Sequence, residues 1–191
     1  MATEEGGGLE KELSIYVSAS AEMDAECELL GQLLATMPET IRWVIRRTPS
    51  IHKAANPDLK KLAQSHFYVI LLGMDITAPV GVELNAAKAA HLVSFAYRCT
   101  KNPSSPAAAV FARNADVDWH LYKSPQEFID HFERALVTQL LEGSPGYGLG
   151  LQELEALAER LERLEGEEGR EEAEDEERRG AGHGGVILAS R

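Results

Sequence analysis

The chain is poor in cysteine and in positive charge, and it has no long apolar run. Its two cysteines, Cys27 and Cys99, have no Cys-x-x-Cys spacing, so neither a disulfide framework nor a zinc knuckle is indicated. Both fall in segments with helix or strand patterning and read as reduced, buried thiols suited to a reducing cytoplasm. No apolar run approaches the ~18 residues of a membrane span. The opening, Met1 to Gly8, is acidic and glycine-rich, the reverse of a signal peptide. Expected, then, is a cytoplasmic protein with no membrane partner. Lys and Arg number 19 against 31 Asp and Glu, a net charge of -12. That balance argues against a nucleic-acid partner, which requires clustered cations.

Several catalytic signatures are missing too. No Gly-x-Ser-x-Gly elbow is present. No Gly-rich loop precedes the first helix, and Glu22, Asp24 and Glu26 would repel a phosphate there. The six histidines (His52, His66, His91, His120, His131 and His183) show no metal-ligand spacing, so no metal and no cofactor is called for. A response-regulator phosphoacceptor also fits poorly. The first strand ends in Ser18-Ala19-Ser20, without the paired acids that hold magnesium.

What is present is alternation of strands and helices. Leu13 to Ser18 reads as a strand, and Ala21 to Met37 as a helix capped by Ser20 with an acidic first turn. Ile41 to Ile45 is a second strand, and Asn56-Pro57 opens a short helix to Gln64. Phe67 to Leu72 is an unbroken apolar run, the mark of a strand buried on both faces. A helix from Pro79 to His91 follows, then a strand from Leu92 to Arg98. Ala107 to Ala112 fits a strand or a helical turn, and Val117 to Tyr122 a weak fifth strand. Ser124-Pro125-Gln126-Glu127 is a capping box opening a helix that Gly143 ends.

This order predicts an α/β, flavodoxin-like three-layer fold with a five-stranded, mainly parallel sheet in the order 2-1-3-4-5. Ligands of such sheets bind at the carboxyl edge, where the strand order reverses. Here that crevice lies between the loops after Ser18 and after Gly73. The chain divides into a flexible leader over 1–11, the α/β domain over 12–143 and a linker with a short leucine-bearing helix over 144–165. An acidic low-complexity tail over 166–191 follows, ending in a Gly-rich, apolar peptide. Of the net charge, -8 falls between Gln152 and Arg179, so the domain itself is nearly balanced.

Glu83 is the leading candidate catalytic residue. A carboxylate in such a crevice can stabilise positive charge on a ribose as its N-glycosidic bond breaks. Equally, it can be a first-turn acid complementing the helix dipole. Ser18, Ser20 and Asp24 are candidate ligand residues for a ribose or amide, with helix capping as the alternative. Asp75 is a second acid in the crevice or a turn residue. Trp43 and Trp119 read as strand core, and Arg42, Arg46 and Arg47 as a solvated edge or an anion contact.

Ile15-Tyr16-Val17-Ser18-Ala19-Ser20, followed by Glu22-Met23-Asp24-Ala25-Glu26, resembles the opening of a TIR-like domain found in bacterial STAND-type signalling proteins. Ala78-Pro79-Val80-Gly81-Val82-Glu83-Leu84 resembles the same family around its helix-start glutamate, a placement shared with TIR domains and nucleoside deoxyribosyltransferases. Cys27 replaces an arginine of that pattern, Val80 stands where catalytic TIR domains commonly carry cysteine, and Gly81-Val82 departs from the Gly-Thr of the transferases. The resemblance spans about residues 12–142. It implies an NAD-binding or NAD-cleaving domain in bacterial defence or stress signalling, with NAD or another nucleotide as substrate and self-assembly or a protein partner for activation. The competing expectation is a non-enzymatic adaptor that recruits partners through its surface and its C-terminal tail.

Overall fold

A computed structural model describes residues 11–48, 56–144 and 146–180. The leader expected over 1–11 lies outside the described residues except for Lys11, which begins the first strand, and the terminal Gly-rich, apolar peptide lies outside them too. Five strands form one sheet: β1 (Lys11–Ala19), β2 (Ile41–Arg47), β3 (Phe67–Leu72), β4 (Val93–Cys99) and β5 (His120–Tyr122). They lie in the order β2-β1-β3-β4-β5 and every pairing is parallel. The fold is the expected flavodoxin-like three-layer α/β arrangement.

Alternation along the strands sets the layers. In β1, Leu13, Ile15 and Val17 point to one face, where they meet α1 (Asp24–Ala35) and α5 (Pro125–Glu142) through Leu30, Phe128, Phe132 and Leu136. Tyr16 points to the other face, with Tyr68 and Ile70 of β3, and meets α2 (Leu59–Ala63) and α3 (Ala78–Ala89) at Leu62, Val80 and Leu84. β3 is buried at every position. A parallel strand with helices on both sides has no solvent face, and its unbroken apolar run follows from that. Burying each Phe or Leu of these two cores contributes roughly 1.5–3 kcal/mol.

Element ends depart from expectation where side-chain chemistry intervenes. Ser20 makes no side-chain cap, because a single 3-10 turn over Ala21–Met23 separates it from α1. Asn56 does not cap α2; Asp58 does, accepting from Lys61 N at 3.0 Å. The stretch around Ala107 is a helix, α4 (Pro106–Asn114), with Ser105 Oγ accepting from Ala108 N at 3.1 Å. β5 begins only at His120, and Trp119 instead donates its indole N–H to Ala112 O at 2.9 Å. A last helix, α6 (Leu151–Gly180), continues well past Leu164. Its Leu157, together with Leu149 before it, is buried in the core shared with β1, α1 and α5. No helix among the described residues is long and apolar enough to cross a membrane.

Candidate functional site

Glu83 lies in the second turn of α3 with its side chain directed at the sheet, and it is wholly buried at 0% exposure. Three hydroxyls converge on its carboxylate. Tyr16 Oη donates to Oε1 at 2.7 Å, Ser18 Oγ to Oε2 at 2.6 Å, and Thr48 Oγ1 to Oε2 at 2.7 Å. The period-2 geometry of β1 places Tyr16 and Ser18 on the α3 face. Thr48 arrives from β2, whose register pairs Val17 with Arg47. Thr48 N donates to Val17 O at 3.0 Å, and Ala19 N donates to Thr48 Oγ1 at 3.2 Å. The hydroxyl that reaches Glu83 is thus anchored to the β1 backbone.

No cation among the described residues is within ion-pair distance of Glu83. A buried carboxylate without a counter-charge is costly, and here hydroxyl donors alone offset that cost. The environment acts on its neighbours in turn. Burial, then the bond and charge of Glu83, push the Tyr16 phenol well above its ordinary range. Burial does the same to Tyr68, which stands opposite Tyr16 in the β1–β3 register. Tyr68 Oη is buried without a hydrogen-bond partner, as are Ser20 Oγ and Thr77 Oγ1 at the N-cap of α3.

The other expected site residues separate from this cluster. Asp24 is exposed and pairs with Arg47 at 2.6 Å. Arg47 also donates to Ser20 O at 2.8 Å, so this arginine ties β2 to the loop after β1 rather than facing a ligand. Asp75 is exposed as well. It accepts from Ser105 Oγ at 2.7 Å and Ile76 N at 2.9 Å, the turn chemistry weighed as its alternative. The Ser105 bond, ahead of the Ile76 amide, holds the Asp75 carboxyl below its ordinary range. The loops after β1 and β3 do meet, but through Glu22, whose Oε1 accepts from Asp75 N at 3.2 Å. Gly73 permits that approach, since a Cβ there would collide with the Glu22 carboxylate and the Met23 methyl.

No protein-family model matches the sequence, and no curated protein matches it. The site must be read from its own side chains. Of the expected residues, Glu83 and Ser18 are joined by a hydrogen bond, Ser20 is buried nearby in sequence at the end of the same strand, and Asp24 and Asp75 stand apart. Tyr16, Tyr68 and Thr48 were not among the expected residues. Tyr16 was within reach of the alternation rule, two positions before Ser18 on the same strand. Thr48 gave no signal, because a threonine just past a strand end is ordinary. Chemically, the cluster is closed: three hydroxyls already meet the carboxylate, and a hydroxyl-bearing or cationic group would reach it only by displacing them. Among the described residues, no group of three or more His, Cys, Asp and Glu is placed to hold a metal ion.

Proposed function

We propose that this chain is a TIR-like domain that binds NAD or a related nucleotide and cleaves its N-glycosidic bond at Glu83, in bacterial defence or stress signalling. The observation that carries this reading is the wholly buried carboxylate, held by three hydroxyls and no cation, on the helix that follows the central strand. In the reaction the bond from ribose C1′ to the base nitrogen breaks, and its electron pair leaves with the base. Glu83 stabilises the cationic ribosyl group, water oxygen bonds to C1′, and the water's proton passes to solvent. Ribose hydroxyls would take over the bonds that Ser18 and Thr48 now make to Glu83 Oε2, which requires that cradle to open.

The closure of the cradle favours a second reading. A carboxylate already saturated by hydroxyls is also what a structural polar lock looks like, and the domain would then be an adaptor working through its surface and C-terminal segment. The two are separated by incubating the protein, at high concentration to allow assembly, with NAD, NADP and nucleosides, and reading products by chromatography. Base release by wild type and none by Glu83→Gln supports the glycosidase. Turnover that survives the substitution removes Glu83 from the chemistry. Absence of turnover with every substrate moves the assignment to the adaptor.

A further inference from the structure

A cavity lined mainly by apolar surface, with charged groups at its base and rim, lies on the opposite face of the sheet from Glu83. It has a volume of about 230 Å³ and sits at the carboxyl edge between α1 and α5. Its lining is ordered by depth. Glu26 and Met23 belong to the buried wall, at 4% and 5% exposure. Lys101, Asn102 and Lys123 are exposed at the rim, with Met74 beside them.

The charges within it are not paired off. Glu26 accepts one bond, from Tyr122 Oη at 3.2 Å, while a carboxylate has about four accepting positions. Among the described residues it has no ion pair with a cation, and neither Lys101 nor Lys123 has one with an acid. A buried acid repels a simple anion, and rim lysines repel a simple cation. The geometry points to a small zwitterion, an α-amino acid with an aliphatic or thioether side chain, as the ligand of this cavity. Its ammonium would meet Glu26, its carboxylate Lys101 and Lys123, and its side chain the Met23 and Met74 walls. Glu22, which also lines the cavity, bonds the Asp75 amide, so occupancy would be felt by the loop that leads into α3.

Calorimetric titration of the full chain with glycine, L-leucine and L-methionine tests this, with isoamylamine, N-acetyl-leucine and acetate as controls. Expected is millimolar or tighter binding of leucine or methionine and little of N-acetyl-leucine or acetate, with isoamylamine weakened. Glu26→Gln and the double change Lys101→Gln with Lys123→Gln should each weaken binding about tenfold, the effect of one lost charge-assisted bond. Should Glu26→Gln fail to fold, Met74→Trp reads the same question from an exposed position by filling the cavity, and it should abolish binding. Overturning results are no binding by any of the three amino acids, acetate binding as tightly as leucine, or full affinity in the lysine double variant.

Discussion

Glu83, Glu26 and Asp24 are all acids in the opening turns of helices, and burial sets them apart. Asp24 is bathed in solvent and its pairing with Arg47 contributes little, whereas Glu83 is sealed beneath three donors. Removing Glu83 strands those hydroxyls, so Glu83→Ala is expected to lower unfolding free energy by about 2–4 kcal/mol. Tyr68→Phe deletes a buried hydroxyl that has no partner and is expected to leave stability unchanged or raise it by about 1 kcal/mol. Urea denaturation of the two variants checks both; equal losses would mean that the hydroxyl cradle is not what holds Glu83. That the end of β1 and the segment leading into Glu83's helix meet was legible, because the strand order 2-1-3-4-5 brings the loops after β1 and β3 together. Thr48 was not, because its place depends on the β1–β2 register, a long-range pairing that local pattern does not encode.

Ser20 and Ser124 look alike in sequence, each a serine just before a segment with an acidic residue in its first turn. Only Ser124 caps. Its Oγ accepts from Glu127 N at 3.1 Å, while Glu127 Oε2 reaches back to Lys123 N at 2.8 Å, one residue earlier than the usual reciprocal bond. Ser124→Ala should therefore cost about 1 kcal/mol in thermal or urea unfolding. Ser20→Ala should cost almost nothing, since Ser20 Oγ has no partner and only the Ser20 carbonyl, bonded by Met23 N and Arg47, is at work. A cost at Ser20 as large as at Ser124 would contradict the 3-10 turn that separates Ser20 from α1. Pro125 explains the contrast: it presets the first helical φ and lets the cap form at once. Pro106 does the same after Ser105, which is why the stretch around Ala107 is a helix and not a strand. Short helices such as α2 and α4 escape periodicity because they hold too few turns to display a stripe.

The leucine repeat after residue 150 bears on how far the folded unit extends. A 3/4 apolar stripe is the same whether its partner is another chain or the domain that precedes it. Here the partner is the domain: Leu157 is fully buried, and Leu154 and Leu161 pack against the core formed by β1, β3, α1 and α5. Arg160 fastens the same helix twice, to Glu133 of α5 and to Thr36 O at the end of α1, the latter at 2.9 Å. The leucine face is thereby used within the chain, and any self-assembly must draw on another surface. A cavity left at Leu157 would be felt by everything that shares its core. Leu157→Ala is accordingly expected to cost about 2–5 kcal/mol, lowering the urea midpoint of a single transition seen alike by tryptophan fluorescence and by circular dichroism. Trp43 reports from β2, far along the chain from α6, yet it packs against the same core. A fluorescence midpoint that stayed at the wild-type value while the helical signal moved would show α6 unfolding on its own. Coincident shifts would make it a structural part of the α/β unit, with the acidic stretch of the chain carried on the continuation of a docked helix.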